Sequence, residues 1–158
     1  MSTGLQMMSS HYEMGLAPVA DAFDTSATSD VVSMKYHNRV RFVVLWGVGA
    51  TGTVTLTVEA CDDVTPSNTS AVAFHYRVTV AAAAPGAVTA ATSAGFTTTA
   101  GSNQIIEVEV PAENLLASGY SYVRLKAVEV TNSPILGGIL IEMLEPAFPN
   151  KTQGSSVT

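Results

Sequence analysis

TVTLTVEA (53–60) decides the fold of this chain. Val54, Leu56, Val58 and Ala60 fall on one side of an extended backbone and Thr53, Thr55, Thr57 and Glu59 on the other. That period of two belongs to a half-buried β-strand, not to a helix. VAFHYRVTV (72–80) repeats it, with Val72, Phe74, Tyr76, Val78 and Val80 opposed by Ala73, His75, Arg77 and Thr79. QIIEVEV (104–110) does so again, setting Ile106, Val108 and Val110 against Glu107 and Glu109.

Working outward, YSYVRLKAVEV (120–130) and GGILIEML (137–144) complete the later strands. Val31–Lys35 is a short one, and RVRFVVLW (39–46) is apolar enough to predict burial on both faces. Between RVRFVVLW and TVTLTVEA, GVGATG (47–52) reads as a hairpin loop whose glycines take positive φ. The small-residue stretch 81–102 reads as a long hairpin or flap, with weak strands at 88–92 and 96–99. PAENLLASG (111–119) is the one helical signal, with Pro111 in a first turn, Glu113 near its positive end and Gly119 as a C-terminal cap. No helical period separates the strands, which excludes a doubly wound α/β fold. The expected fold is all-β: an antiparallel β-sandwich, jelly-roll-like, with one short helix and extended termini.

Three segments follow: an extended N-terminal arm at 1–30, a β-sandwich domain at 31–146 and a flexible tail at 147–158. The arm has no sustained period but carries apolar anchors at Leu5, Met7, Met8, Met14, Leu16, Val19 and Phe23. These are the candidate residues for docking on a neighbouring surface, since a segment without its own core recovers its ordering entropy only from a partner. An arm of that kind would be removable without unfolding the sandwich.

At 158 residues one domain is the default, and the 47% apolar content suits a globular core. A formal charge of −6 with seven scattered Lys and Arg residues argues against a nucleic-acid partner. Lys35, Arg39 and Arg41 form the one local basic group, a candidate contact patch for an acidic protein surface. A single cysteine, Cys61, rules out a disulfide framework and a thiol-rich zinc site. The first fifteen residues lack both a basic start and an apolar run, so no secretory leader is expected, and no stretch is apolar for long enough to predict a membrane span.

The chemistry-bearing clusters each have a structural reading. Cys61 precedes Asp62 and Asp63, and acidic neighbours raise a thiol's pKa, the wrong direction for a nucleophile. Glu107 and Glu109 share one strand face about 7 Å apart, a separation compatible with inverting glycoside hydrolysis. Most of the aromatics that a glycan cleft needs fall instead on apolar strand positions, and a solvated polar face, or ion pairs from Glu107 and Glu109 to Arg124 and Lys126 on a neighbouring strand, is the expected alternative. Asp62, Asp63 and the oxygens of 65–70 offer hard ligands for calcium, but they suit a turn better and match no EF-hand. No catalytic, cofactor-binding or metal-ligating residue is therefore assigned, and no enzyme activity or cofactor is expected.

TGTVTLTVEACDDVTPSNTSAVAFHYR (51–77), GYSYVRLKAVEV (119–130) and SPILGGILIEML (133–144) together resemble small virion proteins of tailed bacteriophages, most of all capsid decoration (cement) proteins. The resemblance covers about 31–146 and rests on a general pattern; no functional residue carries over by motif. It implies a β-rich homo-oligomer, a trimer in the usual arrangement, that bridges neighbouring capsid subunits and stabilises the expanded shell. The implied partners are the major capsid protein and further copies of the chain, with neither nucleic acid nor membrane. The implied location is the capsid surface, after synthesis in the host cytoplasm. A tail-tube, stopper or connector subunit is the alternative, with 81–102 as an inter-ring hairpin. A carbohydrate-binding accessory module is a further one.

Overall fold

The computed structural model describes residues 10–49, 51–80 and 84–147. Two antiparallel sheets pack as a sandwich, as the alternation predicts. The strands are β1 (Ser10–Val19), β2 (Ser26–Thr28), β3 (Val32–Ser33), β4 (His37–Trp46), β5 (Thr53–Cys61) and β6 (Thr69–Val72). After them come β7 (Phe74–Val80), β8 (Thr89–Ala91), β9 (Phe96–Thr97), β10 (Gln104–Pro111), β11 (Tyr122–Thr131) and β12 (Gly137–Pro146). The front sheet runs β1-β12-β4-β10-β7-β8. In the back sheet the order is β2-β11-β5-β6, with β3 also paired to β11 and β9 to β5.

Alternation explains the core. Val40, Phe42, Val44 and Trp46 of β4, Ile106, Val108 and Val110 of β10, and Ile139, Ile141 and Met143 of β12 point inward from the front sheet. They meet Val54, Leu56, Val58 and Ala60 of β5 and Val123, Leu125 and Ala127 of β11. Removing this apolar surface from water is the main favourable term. The buried Trp46 indole N–H donates to the Gly101 carbonyl at 2.8 Å, so its one polar atom is satisfied.

Successive strands often change sheet, and this alters several readings. The 47–52 stretch is not a hairpin loop, because β4 lies in the front sheet and β5 in the back one. Nor do its glycines take positive φ. They permit close approach: a Cβ on Gly52 would stand 2.5 Å from Ile135 Cδ1, and one on Gly47 2.8 Å from the Leu136 carbonyl oxygen. VAFHYRVTV is likewise two strands. Val72 ends β6 in the back sheet and Phe74 opens β7 in the front one, both buried. The crossing point at exposed Ala73 is pinned by a 2.8 Å hydrogen bond from Asn114 Nδ2 to its carbonyl. The weak strands predicted within 81–102 exist as β8 and β9, but they do not pair with each other. β8 joins β7 and β9 joins β5, so the segment spans the sandwich instead of projecting as a flap. Tyr76 and Phe96 stack across that span, ring centroids 3.8 Å apart.

The predicted helix is a 3₁₀ helix, Ala112–Ser118, closed by Gly119 at φ 73°, a left-handed cap that suits glycine. A second correction concerns the arm. β1 pairs with β12 from Ser10↔Leu144 to Val19↔Gly137, and β2 pairs with β11, so the sandwich includes Ser10–Val19 and Ser26–Thr28 and does not start at 31. The sequence hides this because Gly15 and Pro18 interrupt the period where β1 departs from regular pairing, with register shifts from Met14 to Leu16 and from Leu16 to Val19. Residues 1–9 of the arm and 148–158 of the tail lie outside the described residues.

Candidate functional site

The densest chemistry lies on the outer face of the front sheet. Register alone lines up Tyr12 of β1, Glu142 of β12, Arg41 of β4, Glu109 of β10 and His75 of β7 in one row across five strands. Tyr12 Oη donates to Glu142 Oε1 at 2.8 Å. Arg41 reaches Glu142 Oε2 through Nη1 at 3.3 Å and Glu109 Oε2 through Nη2 at 2.9 Å. Glu109 Oε1 accepts from Arg39 Nη1 at 2.7 Å. On the adjoining row Glu107 is held bidentately by Arg77, which is directly opposite it on β7. Arg41, His75, Tyr76, Arg77, Val88, Glu107 and Glu109 line a cleft of about 180 Å³.

These partners differ from the expected ones. Arg124 and Lys126 lie on the back sheet, where they hold Glu59 at 2.7 and 3.4 Å. The carboxylates of the front sheet take Arg39, Arg41 and Arg77 instead, because β10 sits between β4 and β7. Burial by itself would push the Glu109 carboxyl up, but hydrogen bonds and charge from Arg39 and Arg41 hold it below the ordinary value of 4.5. A general acid needs the opposite shift. Glu107 and Glu109 thus form a structural ion-pair lattice, in which each carboxylate already has its donors.

Cys61 is fully buried at the end of β5, and its thiol donates to the Glu59 carbonyl at 3.5 Å. Burial first, then Glu59 and Asp62, push its pKa up to about 11 against the pull of Arg124. It is therefore a neutral thiol at ordinary pH. Asp62 caps its own turn, accepting from the Ser67 amide at 3.1 Å, the Asn68 amide at 3.1 Å and Asn68 Nδ2 at 2.8 Å. The Asn68 side chain is the main reason its pKa is lowered. Asp63 accepts from the Val64 amide at 2.6 Å. Among the described residues no group of three metal-ligating side chains converges.

The docking candidates separate. Leu5, Met7 and Met8 lie outside the described residues. Phe23 is 1% exposed and stacks on Trp46 at 5.4 Å, so it anchors the chain's own core and not a neighbour. Leu16 is half-buried against that core, whereas Met14 and Val19 are exposed. The basic patch is dispersed in the same way. Arg39 and Arg41 are committed to carboxylates, while Lys35 stands 5.2 Å from the Tyr36 ring.

One feature was not legible as a site. RVRFVVLW is buried on its inner face only: Leu45 is 43% exposed and Val43 half-buried. Register places Leu45 beside Ile105 and Val43 beside Leu140, which in turn faces Met14. These five apolar side chains form a band on the outer face next to the ion-pair row. A continuous apolar run signalled its raw material, but only strand order assembles it. None of the family models, curated proteins or solved structures compared with the chain matches it.

Proposed function

We propose that the chain is a structural virion protein that decorates and stabilises a phage capsid by bridging neighbouring capsid subunits. The observation that carries the reading is the outer face of the front sheet. There Met14, Val43, Leu45, Ile105 and Leu140 make an apolar band bordered by a fixed lattice of charges. A band of this kind on a rigid sheet is the surface expected of a protein that docks on another. The lattice beside it supplies orientation without offering a reactive group, since its carboxylates are paired. In this reading the partners are the major capsid protein and further copies of the chain, and the site of action is the capsid surface.

The tail-tube, stopper or connector reading drew on 81–102 as a projecting hairpin, and β8 and β9 divide that segment between the two sheets. The carbohydrate-binding reading needs an exposed aromatic platform, and Trp46 is buried. Co-sedimentation with expanded empty capsids and with unexpanded shells is the direct test. Binding to the expanded form alone is the expected result, and Leu45→Glu should abolish it while leaving the fold intact. Rings or tubes formed by the purified protein, binding to neither shell, or equal binding to both would overturn the proposal.

A further inference from the structure

β1 is the edge of the front sheet, and among the described residues no strand pairs with its outer side. Farther along β1 that side is closed: the Asp30 amide donates to the Gly15 carbonyl at 2.8 Å. Among the described residues the open stretch is therefore Ser10 to Met14, five residues with Tyr12 at the centre. An open edge carries unpaired backbone donors and acceptors, which makes it a template for another strand.

We infer that this edge pairs antiparallel with the same edge of a second copy, about a two-fold axis at Tyr12. Among the described residues, that register pairs all five of the open stretch with each other. It sets Tyr12 against the second copy's Tyr12, Ser10 against Met14, and His11 against Glu13. The last match is the specific one. His11 and Glu13 already meet within one chain, Nε2 to Oε1 at 2.5 Å, so each has the reach and polarity to bond the other. The two-fold axis generates the cross-strand pair twice, once on each side of Tyr12. Tyr12 and Met14 are 55% and 57% exposed and gain cover from the pairing. An interface of this kind is isologous and closes at two copies, fusing two front sheets into one. It does not depend on the virion reading and is separate from any three-fold association.

Sedimentation of the full chain over a concentration series should show a monomer–dimer equilibrium. Glu13→Lys places a lysine opposite His11 and should weaken dimerisation by roughly tenfold, because two cross-strand pairs are lost together. The double exchange His11→Glu with Glu13→His should restore it. Oxidative cross-linking reports the register itself. Opposed residues in an antiparallel pair lie at disulfide distance, so Tyr12→Cys should give a covalent dimer and Met14→Cys should not. The buried Cys61 does not compete. A chain that stays monomeric at every soluble concentration would overturn the inference. So would an oligomer in which Tyr12→Cys fails to cross-link, or in which Met14→Cys links equally well.

Discussion

Phe23 shows how far a single side chain departs from its local context. It follows Asp21-Ala22 and precedes Asp24, in a stretch with no period, so nothing nearby marks it as core. Burial comes from stacking on Trp46, which no spacing rule connects to it. Phe23→Ala should cost about 3–5 kcal/mol in urea denaturation, the usual cost of emptying an aromatic core site. Val19→Ala, at an exposed anchor of the same segment, should stay within about 0.5 kcal/mol. Cys61 gives the converse case, where sequence alone sufficed. Its acidic neighbours and its strand-end position foretell an inert thiol, and burial adds the largest part. Native protein should resist alkylation by iodoacetamide at about pH 8 and react fully once unfolded in denaturant. Rapid labelling of the native thiol would revive a nucleophilic role.

Among the elements, face is legible and neighbour is not. Alternation marks the inward residues of β5 and β10 because the side-chain period is a property of one strand, whereas the apolar run of β4 hides its outward face. Which sheet receives a strand depends on its partners, and no local signal records them. Hence alternation puts Glu107 and Glu109 on one face as an acidic pair, while nothing local points to Arg77 and Arg41, the residues that neutralise them. The same gap turned β6 and β7 into one strand and β8 and β9 into one hairpin. β1 is the clearest case, since its interrupted period reads as an arm although β12 holds it along its length. Truncation tests the difference. Removing residues 1–9 deletes none of the described pairings and serves as the length control. Removing 1–30 takes β1, Phe23 and β2 together, and the melting temperature should fall by about 10 °C or more. Unchanged melting after the longer truncation would restore the picture of a detachable arm.

At the scale of the whole molecule, charge ties strands together that sequence keeps far apart, and this makes stability a function of pH. Two groups set the direction. Burial, and to a lesser degree the charge of His11, lowers the pKa of His37 from its ordinary 6.5. Burial opposes, but Arg39 and Arg41 prevail, in lowering that of Glu109 from 4.5. Each folded-state pKa lies below its unfolded value, so each group binds protons more readily in the unfolded chain. Stability from such groups is fully present above the unfolded pKa and is lost as pH falls through the folded one. His37 should therefore begin to destabilise the fold as pH drops through 6.5, and Glu109 should add a second decline below 4.5. Urea midpoints measured from about pH 8 to about pH 3 should be flat at first and then descend in two steps. Glu109→Gln should cost roughly 1 kcal/mol near neutral pH, a modest figure because its arginine partners are part-exposed and water screens the pairs. It should also flatten the lower step and leave the upper one in place. High salt should shrink the lower step in the parent chain, because screening acts on the part-exposed pairs and much less on the buried imidazole. A lower step that survives Glu109→Gln unchanged would remove Glu109 as its source and point to Asp62, whose pKa is also lowered.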